Sequence, residues 1–423
     1  MLKPEDNERL TRVGPGTPAG ELFRRYWQPA LLASELPEND GAPVRVRLLS
    51  EDLVAFRDTN GKVGLVDAYC PHRRAPMFFG RNEECGLRCV YHGWKFDVNG
   101  DCADMPSEPG DTPLKAKAKI KSYPTYEAGG IIWTYMGPKD KQPAPPNYEW
   151  LRAPATHRYV SKSESCCNYL QGLEGGLDTA HVSFLHRNNL GDKTWLGAQD
   201  GAPRIEVELT DYGYYYVSTR NSGPDRRYVR VYQYIMPFQQ IRSNVLGYAG
   251  KRPDVPKFDG HLWAPVDDHT TNIYNFMYSY SPEIPLPRAY AENYESYAGR
   301  GAEHFIPGTF RLKANPSNDY FIDRESQKHH TVTGIAGVNT QDMALQEGMG
   351  PIVDRSKEFL GTTDRAIVAM RRLLLEATYA VERGETPKGA DPVKHANARA
   401  FDDFVPGDQT WQTAFAQDLQ AKF

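Results

Sequence analysis

Cysteine and histidine occur together twice in this chain, as Cys70-Pro71-His72 and as Cys89-Val90-Tyr91-His92-Gly93-Trp94, with a 16-residue spacer between them. Each segment offers one thiolate and one imidazole. Paired across the segments, Cys70 and Cys89 can hold one iron and His72 and His92 the other. The result is a [2Fe–2S] centre in which two imidazoles stand for two thiolates, at a potential well above that of an all-cysteine cluster. A structural zinc site would use like-residue knuckles, C-x2-4-C and H-x3-5-H. Here each knuckle is mixed, which favours the cluster. Cys85 offers a competing knuckle, Cys85-x3-Cys89. Cys102, Cys166 and Cys167 bring the cysteines to six, and in an intracellular setting free thiols are expected rather than disulfides.

A second constellation lies further along, Asp178-x2-His181-x4-His186. Two histidines and a carboxylate form the facial triad of non-haem Fe(II) oxygenases, which leaves coordination positions open for O2. An isolated HxxxxH carries little weight. Downstream of an electron-transfer cluster it gains weight, because one-electron chemistry needs an acceptor. On a helix Asp178 and His181 share a face, whereas His181 and His186 lie about 140° apart. Both reach one metal only where the helix ends or distorts before His186. The turn-rich Arg187-Asn188-Asn189-Leu190-Gly191-Asp192 is consistent with such an ending.

These loops need a scaffold. A chain of 423 residues suggests two or three domains, and 40% hydrophobic with 12% aromatic residues can fill a sizeable core. Residues 1–40 carry a predicted helix around Glu21-Leu22-Phe23-Arg24-Arg25-Tyr26-Trp27. Short alternating strands follow at 44–49, 53–56 and 63–66, with a type I′ hairpin predicted at Asn60-Gly61, and a closing strand at 131–135. A small antiparallel domain over 41–140 with the cluster loops at its tip is the reading. Pro143-Ala144-Pro145-Pro146 is the linker candidate. Strands recur at 204–209, 214–219, 228–236 and 271–278, and an amphipathic helix at 363–383 buries Ile367, Met370, Leu374, Ala377 and Val381, with Thr363 as cap and Gly384 as stop. The fold class is therefore α+β. A net charge of −4 argues against a nucleic-acid partner. Mean hydropathy of −0.62 and no run of 18 apolar residues argue against a membrane span, and the N-terminus lacks a leader's apolar core, so a cytoplasmic protein is expected. No G-x-G-x-x-G lies between a strand and a helix, which leaves nicotinamide and flavin binding to a separate protein.

Over nearly its full length the chain resembles the α subunits of Rieske non-haem iron aromatic ring-hydroxylating oxygenases. The resemblance rests on Cys70-Pro71-His72-Arg73, Cys89-x-Tyr91-His92-Gly93-Trp94-Lys95-Phe96-Asp97 and Asp178-x2-His181-x4-His186. Gly20-Glu21-Leu22-Phe23-Arg24-Arg25-Tyr26-Trp27, Gln341-Asp342-Met343 with Glu347-Gly348-Met349-Gly350-Pro351-Ile352, and Asp354-Arg355-Ser356-x-Glu358-x-Leu360-Gly361 are similar to the phthalate 4,5-dioxygenase group.

The resemblance implies an N-terminal all-β Rieske [2Fe–2S] domain and a C-terminal helix-grip (START-like) catalytic domain over 141–423, with residues 1–40 packed on the latter. It implies a Rieske cluster, a mononuclear Fe(II), and a homotrimer or hexamer in which Asp178 bridges one subunit's cluster to the neighbour's iron. The third iron ligand is then a distal carboxylate, Asp342 or Asp354, of which Asp342 matches the family's Gln-Asp segment. An NADH-dependent flavin or ferredoxin-type reductase would supply electrons. O2 and a small aromatic carboxylate would react by cis-dihydroxylation, or by O-demethylation or monooxygenation of a substituted benzoate or aryl ether in a sister group. Carboxylates need cationic or hydrogen-bonding anchors; Arg204 and Arg242 at strand edges are the candidates, with Arg220, Arg230 and Thr179 beside them. Tyr212-Gly213-Tyr214-Tyr215-Tyr216 reads as sheet packing. A non-catalytic Rieske carrier or a zinc-stabilised binding protein is the reading from another class, opposed by chain length and by the second motif.

Overall fold

The computed structural model describes residues 1–110, 112–247 and 250–423. Two units emerge: Val13–Pro145, and a larger one made of Met1–Arg12 with Pro146–Phe423.

The smaller unit is built from short antiparallel sheets. Val44–Leu48, Glu51–Arg57, Val63–Asp67 and Ser122–Tyr123 lie in that order. Along the first, Val46 and Leu48 are buried while Arg45 and Arg47 are exposed, the two-residue period of a half-buried strand. Arg81–Glu83, Gly86–Arg88, Lys95–Phe96 and Cys102–Asp104 form a second small sheet. Val54, Phe56, Val66, Met77, Leu87 and Phe96 pack with Cys70 and Cys89 into one core. The Asn60-Gly61 turn is not type I′, since only Gly61 is left-handed, at φ 79°. Asp58 Oδ1 accepts from the backbone N–H of Asn60 and Lys62 and closes a longer turn instead.

The N-terminal segment departs from expectation. Only Met1–Arg12 belongs with the larger unit, and residues 13–40 belong with the smaller. The helix expected through Trp27 spans Pro18–Phe23, and Trp27–Leu32 is a fully buried strand paired with Ile131–Tyr135. Pro29 explains this, because proline removes a helical donor and biases the preceding residue to extended backbone.

The larger unit is an antiparallel sheet in the order Arg158–Ser165, Thr270–Ser279, Lys257–Asp267, Gln239–Ser243, Arg226–Ile235, Gly213–Asn221, Arg204–Leu209, with Phe401–Pro406 also paired to Arg226–Ile235. The amphipathic helix spans Arg365–Glu382 and buries the predicted stripe against the sheet. Its N-cap position is Asp364 rather than Thr363, and Gly384 follows its end at φ 79°. Tyr169–Leu177 and Val338–Gly348 are the helices that carry the site.

Candidate active site

The two cluster loops make the same turn. In each, the cysteine carbonyl accepts from the residue four positions on (Arg74 N, Gly93 N) at 2.9 Å, and the cysteine N–H donates to the residue five positions on (Ala75 O, Trp94 O) at 2.8 Å. The fourth position is left-handed in both, φ 59° at Arg74 and 80° at Gly93. The cysteines are buried and the histidines half-buried. The His72 and His92 rings lie 4.5 Å apart, and Trp94 stacks on His72 at 4.5 Å. Burial pushes the Cys70 thiol up to about 11, and the adjacent Cys89 adds to it. A metal bound between the two loops would deprotonate these thiols as its ligands. Cys85 lies elsewhere, with its Sγ 3.1 Å from Asn60 Nδ2.

In the larger unit, the helix Tyr169–Leu177 stops at the residue before the motif. Asp178 caps that end in extended backbone and its Oδ1 accepts from Ala180 N at 2.7 Å, which turns the chain into a short 3-10 turn at His181–Ser183. The turn solves the spacing problem: His181 Nε2 and His186 Nε2 come to 3.3 Å of each other. Asp342, on the helix Val338–Gly348, places Oδ1 3.5 Å from His181 Nε2 and 3.3 Å from His186 Nε2. Among the described residues His181, His186 and Asp342 form a group that could hold a metal ion. Two imidazoles and one carboxylate converging from one side are the donor set of a mononuclear iron(II) centre with open positions.

The outer nitrogen of each imidazole is also fixed. His181 Nδ1 faces Asp178 Oδ2 at 3.3 Å, and His186 Nδ1 faces Gln341 Oε1 at 2.8 Å. Gln341 Nε2 donates to Asn188 Oδ1 at 2.9 Å and Ile335 O at 2.8 Å, so the amide cannot be reversed without losing both bonds. Both Nδ1 atoms therefore carry the proton and both Nε2 lone pairs face the shared position. Burial raises the Asp342 carboxyl, yet His186, His181 and Arg242 pull it below the usual carboxylate range. Asp178 follows the same pattern, with His181 overcoming burial.

The Tyr169–Leu177 helix sits unusually near the sheet. A Cβ on Gly172 would come within 2.6 Å of the Trp263 indole, and one on Gly176 would also overlap that ring. The helix is tied down by Glu174, which accepts from Arg355 Nε at 2.8 Å and Arg371 Nε at 2.7 Å.

Beside the triad opens a cavity of about 320 Å³, at the lower end for small-molecule pockets. Trp263, Ile273, Val338 and Met343 give it an apolar wall. Arg242 lines it and pairs with Asp259, whose other oxygen takes Lys257 Nζ at 2.5 Å. Of the residues expected to touch substrate, Arg242 is thus on the cavity wall, as is Arg230. Arg204 is not: it is exposed on an edge strand opposite Thr219, where alternation sends Ile205 inward instead. Thr179 is not either, because the helix ends before it; it is buried off the wall, its carbonyl accepting from Arg220 Nη2 at 2.9 Å. Asp354 is not part of that group: it is exposed and accepts from Ser356 Oγ at 2.6 Å. Tyr214 and Tyr216 pack in the sheet, as the sequence suggested. The sequence reading missed the role of Gln341 and missed Lys257, Asp259 and His261. Their period-two recurrence in one strand was the available signal.

Residues 26–124 match the Rieske [2Fe-2S] domain, and residues 134–422 match the family described as LigXa C-terminal domain like. The phthalate 4,5-dioxygenase oxygenase subunit of Pseudomonas putida is 37% identical, over 100% of this chain and 96% of its own length. The chain belongs to the Rieske oxygenases. It is an oxygenase subunit, with a Rieske [2Fe–2S] domain at its N-terminal end and a mononuclear-iron catalytic domain following. The 5,5′-dehydrodivanillate O-demethylase oxygenase subunit of Sphingobium sp. is 34% identical over 92% of this chain and 83% of its own. Dicamba monooxygenase shares the fold, with a TM-score of 0.63 at 18% identity over 86% of this chain and 99% of its own. Among the described residues no helix is long and apolar enough to cross a membrane.

Proposed function

We propose that this Rieske oxygenase cis-dihydroxylates a phthalate-like aromatic carboxylate. In this reading Cys70, His72, Cys89 and His92 hold the cluster, and His181, His186 and Asp342 hold the iron. The iron, when bound, supplies the site at which O2 is reduced with electrons relayed from the cluster. The protein's own residues do the rest. Gln341 and Asp178 lock the two imidazole tautomers. Trp263, Ile273 and Met343 take the ring and keep water from it. Arg242 takes the carboxylate.

Arg242 is the observation that carries the substrate class. Arg242 and Asp259 line the cavity, and Asp259 shares its single carboxylate between Arg242 and Lys257, which is buried behind the wall, so this cluster holds two cations to one anion. A carboxylate arriving there completes the balance through charge-assisted hydrogen bonds.

Electrons would come from a separate NADH-dependent flavin or ferredoxin-type reductase. Asp178 remains about a quarter exposed while bonded to His181. It can therefore accept a second bond, from a neighbouring subunit's cluster histidine in a trimer or hexamer. All six cysteines are unpaired, in keeping with a reducing, cytoplasmic compartment.

The test is turnover with a phthalate-type reductase, NADH and isotopically labelled O2, offering phthalate and substituted benzoates. A dihydrodiol carrying both labelled oxygens supports the reading. A demethylated or singly hydroxylated product moves the chain to the alternative, Rieske O-demethylation or monooxygenation, which the similarity to the demethylase subunit favours. Arg242→Met is expected to weaken binding of carboxylate substrates roughly tenfold or more, the scale of a lost hydrogen bond to a charged group.

A further inference from the structure

The strand Lys257–Asp267 carries a second polar feature into the cavity, two residues beyond Asp259. His261 is 3% exposed and stands in register between Gln240 and Asn275, while Asn275 stands opposite Ser161. Polar side chains thus form one row across four strands.

The direction of each hydrogen bond in that row is determined. Ser161 Oγ donates to Glu295 Oε2 at 2.5 Å, so it accepts from Asn275 Nδ2 at 3.2 Å. That turns Asn275 Oδ1 toward His261 Nδ1, 2.8 Å away. Nδ1 therefore carries the ring proton, and Nε2 is a bare acceptor. Burial, then Arg242 and Arg300, hold the imidazole well below its ordinary pKa, which keeps it neutral. Among the described residues Nε2 has no protein partner, and the ring lines the same cavity as the triad and Arg242.

We propose that His261 is a specificity-determining residue whose Nε2 accepts a hydrogen bond from a hydroxyl or amino group on the ring of the substrate that Arg242 holds by its carboxylate. This rests on the carboxylate reading above and narrows it. Asp259, the partner of Arg242, and His261 are two residues apart on one face of a strand, about 7 Å along it. That span is comparable with the reach of a benzoate from its carboxylate to a substituent on the far side of the ring. A substrate without a donor leaves Nε2 desolvated and unpaired, and a site built this way discriminates more sharply than an apolar pocket. Phthalate itself, whose second carboxylate brings no proton, would rank behind a hydroxy- or aminobenzoate.

The experiment is calorimetric binding of the holoenzyme to matched hydroxy- and fluorobenzoates, similar in size and differing in the donor. Wild type should prefer the hydroxy compound roughly tenfold or more. His261→Leu should abolish that preference, weakening the hydroxy compound while fluorobenzoate binds at least as tightly as before, since no acceptor is then left unpaired. Asn275→Asp, which places an anion at Nδ1 and protonates the ring, turns Nε2 into a donor. It should erase the hydroxyl preference and strengthen phthalate binding, a reversal that a merely structural role would not produce. Equal wild-type affinities, a preference that survives His261→Leu, or a His261→Leu loss common to all benzoates would each overturn the assignment. Benzoates that bind with no hydroxyl preference overturn it alone; no binding by any benzoate overturns the carboxylate reading and this one with it.

Discussion

A ligating imidazole is only as well placed as the group on its other nitrogen, and here those groups are Asp178 and Gln341. Gln341→Leu removes the acceptor from His186 Nδ1 and frees the ring to rotate. Iron retention at the mononuclear site is expected to fall about 10- to 100-fold, the usual cost of losing such a partner. Metal analysis after dialysis against a weak chelator measures it, and the cluster's visible absorption should stay constant. Unchanged iron content would show that Gln341 does not orient His186. Asp178→Asn should leave both iron sites filled and slow turnover; wild-type rates would end its bridging role. At this scale the candidate cysteine and histidine donors were legible because they are rare residue types at fixed spacing, whereas Asp342 came only from the family resemblance, with Asp354 left open beside it. Of the candidate substrate contacts, Arg242 and Arg230 line the cavity and the others do not. Arg204 and Thr179 fail because their directions depend on which way a strand alternates and where a helix stops, and both are settled by tertiary packing.

The helix Tyr169–Leu177 is anchored by one buried carboxylate between two guanidiniums. Removing one partner of a buried ion network leaves the rest uncompensated, so Arg355→Met is expected to destabilise the larger unit by about 3 kcal/mol or more. Denaturant unfolding reads this directly. The network also sets an acid limit. Burial raises the Glu174 carboxyl, but Arg355 and Arg371 bring it below the ordinary glutamate value. Its folded pKa is thus lower than its unfolded pKa, so its contribution is complete above the unfolded value, about 4.3, and fades as pH falls through the folded value. Melting temperature should drop below about pH 4, and the drop should be smaller in Glu174→Gln; the same slope in both proteins would exclude Glu174 as its source. Strands with clean alternation, such as Arg204–Leu209, could be read from sequence to the residue. Lys257–Asp267 could not, because its cavity face mixes Asp259 and His261 with Trp263 and its other face is apolar, so the strand is buried throughout most of its length without an exposed face to mark it.

Each of the two units carries an iron site of different chemistry, so the whole chain should hold about three irons, two in the cluster and one alone. A chelator should remove one of the three and leave the cluster spectrum intact; zinc without iron would sink the oxygenase reading. The proline-rich break was legible as the passage between units, at Pro145-Pro146. The affiliation of residues 13–40 was not, since it depends on Trp27–Leu32 pairing with a strand a hundred residues away. The contact of Gly172 and Gly176 with Trp263 sets a schedule for the molecule's maturation. A nine-residue helix with three glycines cannot persist by itself, since each glycine costs about 1 kcal/mol against alanine and so short a helix is marginal in water. Its shape is borrowed from a tryptophan nearly ninety residues further along the chain. A nascent chain therefore has no mononuclear metal trap to offer until the sheet has been synthesised and closed. Folding of the larger unit thus has to precede the loading of its mononuclear metal.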